Sequence, residues 1–150
     1  MKLPGPLFFY GVLMPGLVSG RMAELVGLLD PGAPATVRGA LYAVPDLRGH
    51  YPVLIADRSG GSVTGRLHLP GESFGEAELA EMDAFEGYVP GDSGRSDYLR
   101  RPLSATLGSR REVNCEAYVW NRGVEAAFIP IVHGDFARYL AESGARPLPG

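Results

Sequence analysis

Glu86 is the side chain in this sequence best placed for acid–base chemistry. The surrounding residues predict a helix from about Gly75 to Glu86, and its inward-facing stripe consists of Leu79, Met82 and Phe85. Because Glu86 follows Met82 by four positions, its carboxylate projects beside this apolar stripe. Burial and the negative end of the helix dipole both raise the pKa of a carboxyl group, as general acid–base catalysis near neutral pH requires. The same spacing also fits a Glu86 that extends into solvent where the helix frays.

The tetrapeptide at positions 10–13 is a second place where the pattern breaks. An apolar strand predicted over 7–10 runs directly into Gly11, and Val12 and Leu13 follow in the turn. Successive backbone N–H groups that leave a sheet in this way can form a nest for a carboxylate or an oxyanion. An ordinary strand-to-helix turn is the alternative interpretation.

Other kinds of catalytic site lack their usual motifs. His50, His68 and His133 are far apart and have no metal-ligand spacing with a second His or with Cys, so we predict no metal site. The sequence contains no P-loop and no Gly-x-Ser-x-Gly elbow. Cys115, the single cysteine, falls inside a predicted strand and is interpreted as a core residue. We therefore predict no cofactor, and chemistry that uses carboxylates, phenols and backbone amides.

The composition indicates one globular domain spanning residues 1–150. A chain of 150 residues with 45% hydrophobic and 21% charged residues can bury a core without disulfides. The net charge of −3 provides no basic stripe for nucleic acid or for an anionic membrane. Since no signal peptide and no membrane-spanning segment is recognisable, a cytoplasmic location is expected.

Short predicted strands outnumber the helices. The runs of strands favour an α+β fold with a mixed, mostly antiparallel sheet. Beyond the elements above, the patterns predict a helix after Ser19 that carries Met22, Leu25, Val26 and Leu29, a helix at 135–142, and strands near 36–44, 51–57, 62–69, 98–107 and 111–121.

From about Leu7 to Leu140 the chain resembles the γ-glutamylcyclotransferase-like superfamily, which includes avirulence-induced-gene-like plant proteins and small bacterial relatives. The resemblance rests on the order of several segments rather than on one motif. They are Phe9-Tyr10-Gly11-Val12-Leu13-Met14, Val37-Arg38-Gly39-Ala40-Leu41-Tyr42, Gly49-His50-Tyr51-Pro52-Val53-Leu54, Met82-Asp83-Ala84-Phe85-Glu86-Gly87-Tyr88, Tyr98 with Arg100, Ala117-Tyr118-Val119-Trp120-Asn121, and Ile129-Pro130 through Gly134-Asp135-Phe136.

This resemblance implies a small β-barrel-like sheet flanked by helices and a metal-independent lyase or acyltransferase. Its substrate would be a small molecule with a γ-glutamyl group, which is cyclised to 5-oxoproline while an amine or amino acid leaves. Glu86 would be the general acid and base, and the backbone of Gly11, Val12 and Leu13 would bind the substrate. Tyr10 and Tyr98 would be further hydrogen-bonding residues at the cavity wall. The leaving group stays open, as does the oligomeric state.

Three positions depart from the family pattern. Val12 replaces a Thr or Ser, while Arg66 and His68 replace a Glu and a Tyr. A member that keeps the pocket but serves as a non-catalytic small-molecule-binding or interaction protein is the alternative function.

Overall fold

The computed structural model of the protein describes residues 4–57 and 60–149. Its helices are α1 (Gly20–Val26), α2 (Glu76–Phe85) and α3 (Phe136–Ser143), and a short 3₁₀ turn covers Ser93–Arg95. Its strands are β1 (Leu7–Phe9), β2 (Ala33–Val44), β3 (Tyr51–Ala56), β4 (Ser62–His68), β5 (Tyr98–Leu107), β6 (Glu112–Trp120) and β7 (Ile129–Pro130).

Five of the strands close into a barrel. Their order is β2, β4, β1, β6 and β5, and β5 pairs with β2 again to complete the ring. The β1–β6 pair is parallel, while the other strand pairs in the described residues are antiparallel. The predicted α+β fold with a mixed, mostly antiparallel, barrel-like sheet is therefore confirmed.

The long strand β2 serves two sheets because it changes partner halfway along. Residues 33–38 pair with β4 inside the barrel, and residues 39–44 pair with β3 outside it. Gly39 stands at the change, where an added Cβ would lie 2.6 Å from the carbonyl oxygen of Ile55. A side chain does not fit this close approach of two backbones. The change of partner carries β3, and with it Tyr51 and Pro52, towards the end of β1.

A glycine stop ends helix α2 at Glu86. Gly87 adopts φ +71°, and the N–H of Tyr88 donates to the carbonyl of Asp83 at 2.9 Å. The N–H of Gly87 donates to the carbonyl of Ala84 at 3.1 Å, which completes a Schellman motif. Glu86 is thus the last residue before the chain turns, so its position is set by the stop rather than by a fraying end.

Two element boundaries differ from the sequence predictions by more than one or two residues, and one strand was not predicted. Helix α1 ends at Val26, because Gly27 caps it before Leu29 is reached. Strand β2 begins at Ala33, since Pro34 is accommodated opposite Arg66 of β4. The two-residue strand β7 was not predicted, as a run this short has no periodicity to detect.

Candidate active site

A cavity of about 470 Å³ opens between the end of β1 and the end of α2. It brings together every residue that the sequence analysis placed in a site: Tyr10, Gly11, Val12, Leu13, Glu86 and Tyr98. The roles of these residues remain predictions. Their shared location arises because the ends of β1 and α2 meet the start of β5 at the cavity.

The carboxyl group of Glu86 has no partner of its own among the described residues. It faces the cavity, and no hydrogen bond or ion pair from residues 4–57 or 60–149 satisfies it. Burial, followed by the neighbouring Asp83 carboxylate, raises the pKa of Glu86 from 4.5 to about 8. Both the acid and the carboxylate are therefore populated near neutral pH.

Asp83 lies one helical turn before Glu86 and is fully paired. Its carboxylate accepts hydrogen bonds from Arg100 Nε at 2.9 Å, Arg100 Nη2 at 3.2 Å and the Tyr118 hydroxyl at 2.7 Å. Arg100 also donates to Glu116 Oε1 at 2.7 Å. Asp83 is thus buried and fully hydrogen-bonded, and its charge disfavours a second negative charge on Glu86.

The backbone of the 10–13 loop provides unused donors beside Glu86. The loop forms a turn in which the N–H of Met14 donates to the carbonyl of Gly11 at 2.9 Å. In the part of the chain that the structure describes, the N–H groups of Gly11, Val12 and Leu13 donate to no protein acceptor. Such a group of unpaired donors suits a carboxylate or a developing oxyanion. The hydroxyl that the family pattern has at position 12 is absent, so only the backbone offers donors there.

Gly11 allows the loop to pack directly on β3. An added Cβ would lie 2.2 Å from Cγ of Pro52 and 2.9 Å from its Cδ. The backbone of Pro52 in turn accepts a hydrogen bond from the Tyr98 hydroxyl at 2.8 Å. The loop, β3 and β5 are therefore fixed to one another at the floor of the cavity.

Tyr10 and Tyr98 are neutral phenols whose hydroxyl groups already donate hydrogen bonds within the protein. The Tyr10 hydroxyl donates to the carbonyl of Tyr118, as the Tyr98 hydroxyl does to Pro52. Burial, with a further contribution from the charge of Glu86, raises the pKa of both phenols well above the usual value. Their oxygens remain able to accept a hydrogen bond from a substrate, but their protons are not available to it.

The cavity also contains residues that the sequence analysis did not select. Tyr118 joins the floor, where burial and then Asp83 raise the pKa of its hydroxyl. Nothing in its strand pattern distinguishes it from a core tyrosine. Pro52 lies at the floor, and the more exposed part of the lining consists of Arg48, Tyr51, Asp97, Trp120, Leu148 and Pro149. These come from four separate stretches of chain, which no local pattern connects.

Arg66 and His68, the two departures on β4, do not line the cavity. Arg66 Nη2 donates to the carbonyls of Pro31 at 3.2 Å and Gly32 at 2.8 Å. The buried ring of His68 places Nδ1 3.0 Å from the carbonyl oxygen of Asp30. Both side chains bind the turn that precedes β2, away from the cavity.

Residues 4–57 and 60–149 contain no group of three or more His, Cys, Asp and Glu side chains arranged to hold a metal ion. None of the helices in these ranges is long and apolar enough to cross a membrane.

Comparison with known proteins identifies the family. Residues 7–138 match the pattern of the family described as gamma-glutamyl cyclotransferase, AIG2-like, so this chain belongs to that family. No match was found among curated proteins.

Solved structures with the same fold include members of this family. An AIG2-like protein from Mus musculus is 19% identical, with a TM-score of 0.62, and the match covers 90% of this chain and 89% of that one. YkqA from Bacillus subtilis is 17% identical with a TM-score of 0.66; the match covers 93% of this chain but 42% of YkqA. A gamma-glutamyl cyclotransferase structure is 13% identical with a TM-score of 0.52, with 84% and 69% covered. At these identities the likeness shows a shared fold.

Proposed function

We propose that the protein converts a γ-glutamyl group into 5-oxoproline and releases an amine or amino acid, with Glu86 as the general acid and base. The observation that carries this proposal is an unpaired Glu86 carboxyl group, with a pKa of about 8, in one cavity with three unused backbone donors. Family membership supports the same reaction class.

The reaction needs little from the protein beyond folding the substrate and moving protons. The α-amine nitrogen of the γ-glutamyl group attacks its own γ-carbonyl carbon, which forms the five-membered lactam and breaks the bond to the leaving nitrogen. Since nucleophile and carbonyl belong to one molecule, correct folding of the substrate supplies much of the rate enhancement. No cofactor is required by this chemistry.

Glu86 would act twice in one turnover. As a carboxylate it takes a proton from the α-ammonium group, which frees the nitrogen lone pair for attack. As an acid it delivers a proton to the leaving nitrogen when the tetrahedral intermediate collapses. By the end, both protons lost by the ammonium nitrogen are on the released amine. A pKa of about 8 suits both steps, because neither form is strongly disfavoured near neutral pH.

The 10–13 loop would bind the recognised half of the substrate. The N–H groups of Gly11, Val12 and Leu13 would hold its α-carboxylate or the developing oxyanion. The oxygens of Tyr10 and Tyr98 would accept hydrogen bonds from the α-ammonium group, which has protons to donate. The neutral state of these phenols fits that role.

Release of 5-oxoproline from a panel of γ-glutamyl amino acids, γ-glutamyl amines and glutathione tests the proposal. Mass spectrometry should detect 5-oxoproline together with an equal amount of the leaving amine. If 5-oxoproline or a γ-glutamyl compound raises the melting temperature but none is turned over, the protein is a binding protein that retains the family pocket, and the proposed reaction is wrong.

A further inference from the structure

The cavity has a buried floor and a half-exposed mouth. Tyr10, Tyr98 and Tyr118 are buried around Glu86, and the charge of Glu86 acts on all three hydroxyls. Tyr51 and Trp120 lie further out and are only partly buried. A γ-glutamyl group bound with its carbonyl at Glu86 would therefore point its leaving group towards the mouth.

A segment that follows α3, residues 145–149, docks beside this mouth. The N–H of His50 donates to the carbonyl of Arg146 at 2.7 Å, and the N–H of Leu148 donates to the carbonyl of His50 at 2.8 Å. Gly49 makes the contact possible, because an added Cβ would lie 2.5 Å from the carbonyl oxygen of Pro147. These bonds fix the segment against the start of β3.

The docked segment contributes an apolar wall to the cavity. Leu148 and Pro149 both line it, beside Tyr51 and Trp120. Leu148 is half-buried against the core. The segment lies beyond residues 7–138, the range that matches the family pattern. This wall is therefore a feature of this chain that the family match does not describe.

The charged residues at the mouth are already paired. Arg48 Nε lies 3.2 Å from Asp46 Oδ1, and Asp97 Oδ1 accepts a hydrogen bond from Arg122 Nε at 2.8 Å. A charged leaving group would have to compete with these pairs and lose hydration against the apolar wall. An apolar leaving group gains by burial there.

We propose that the 145–149 segment selects the leaving group, and that the preferred substrates are γ-glutamyl amino acids or amines whose leaving group is a bulky apolar one. This inference rests on the proposed function. It assigns to Leu148 the contact that determines specificity.

Three substrates that share the γ-glutamyl half test the preference. The probes are γ-glutamyl-leucine, γ-glutamylglycine and γ-glutamyl-aspartate, measured with the unmodified protein. We expect kcat/KM for the leucine conjugate to exceed that for either of the others by about tenfold or more, the scale on which an apolar pocket discriminates.

Two substitutions at one position test the wall itself. Leu148→Ala removes the contact and should lower kcat/KM for γ-glutamyl-leucine about three- to tenfold, mainly through KM, and should lower it less for γ-glutamylglycine. Leu148→Trp fills the mouth and should also penalise the leucine conjugate selectively. Leu103→Ala is the matched control, because Leu103 is a similarly half-buried leucine that does not line the cavity.

These experiments distinguish a failure of the specificity role from a failure of the proposed function. Equal kcat/KM for the leucine and glycine conjugates, or equal losses on both substrates in the Leu148 variants, would overturn the specificity role while leaving the cyclisation intact. If none of the three conjugates yields 5-oxoproline but another member of the γ-glutamyl panel does, this inference fails and the proposed function stands; if no member of the panel does, both fail. Melting curves of the three variants confirm that a loss of activity is not a loss of fold.

Discussion

Asp83 and Glu86 are carboxylates one helical turn apart, yet their surroundings are opposite. Asp83 is buried and accepts three hydrogen bonds from Arg100 and Tyr118. Glu86 faces the cavity without such partners in the described residues, and its pKa rises to about 8. The partners of Asp83 come from β5 and β6, and one of them, Tyr118, also lines the floor of the cavity.

This difference separates a structural charge from a reactive one. The Asp83 carboxylate is used up in hydrogen bonds to the protein, whereas the Glu86 carboxyl group has no such partner and can exchange a proton with a substrate. The two groups are also coupled, because the fixed charge of Asp83 adds to the raised pKa of Glu86. Asp83 is thus a positioning residue in this proposal, and Glu86 is the catalytic one.

The sharpest test of the comparison is Glu86→Gln. Gln keeps the shape but cannot shuttle a proton, so kcat for 5-oxoproline release should fall by about 10²–10⁴-fold or more. The melting temperature should stay at or above that of the parent, since an unfavourable carboxylate is removed. Glu81→Gln on the same helix is the control, because Glu81 is an exposed partner of Arg21. Full activity in a folded Glu86→Gln variant would remove this residue from the mechanism.

Asp83→Asn should instead damage the fold. It leaves Arg100 without its buried partner, which should cost about 3 kcal/mol of unfolding free energy in urea titrations. In the fraction that folds, the pKa of Glu86 should fall, so the rise of kcat/KM should move to lower pH. Glu116→Gln, which removes the more exposed partner of Arg100, should cost clearly less. If the pH dependence of kcat/KM is the same in Asp83→Asn as in the parent, the charge of Asp83 does not affect Glu86.

The pH dependence of the parent should follow Glu86. Because the carboxylate form increases up to a pKa of about 8, kcat/KM should fall by about tenfold per pH unit below that value.

The stability of the fold should also depend on the ionisation of Glu86, but it should fall with rising pH where kcat/KM increases. The folded-state pKa is raised above 4.5, so protonated Glu86 stabilises the fold at low pH, and this contribution is lost as pH rises to about 8. The melting temperature of Glu86→Gln, relative to that of the parent, should therefore increase as the pH rises from 4.5 to about 8. A constant difference would indicate that the pKa of Glu86 is not raised.

Chelation should have the smallest effect. Since the proposed chemistry uses protons and backbone donors alone, dialysis against a strong chelator should leave melting temperature and activity unchanged. A loss that zinc or manganese restores would contradict the proposal.

The sequence indicated where Glu86 lies better than it indicated what surrounds it. Helical spacing and Gly87 were enough to place the residue at the end of α2, and the 10–13 break was visible as a strand running into a glycine. The pairing of Asp83 was not visible, because Arg100 and Tyr118 lie on strands that approach α2 only in the folded barrel. Leu148 is the extreme case, since its place at the mouth depends on two backbone hydrogen bonds to His50.

The parallel pairing of β1 with β6 has a consequence for how the chain folds. The edge of β1 is covered only when Leu7 meets Glu116 and the N–H of Glu116 reaches the carbonyl of Pro6 at 2.9 Å. During synthesis, this apolar edge of β1 therefore stays unpaired until most of the chain has left the ribosome. Pairings between strands this distant in sequence also form slowly. Nascent chains that stop before β6 should be the species that bind chaperones or aggregate, because an open strand edge is a template for other strands.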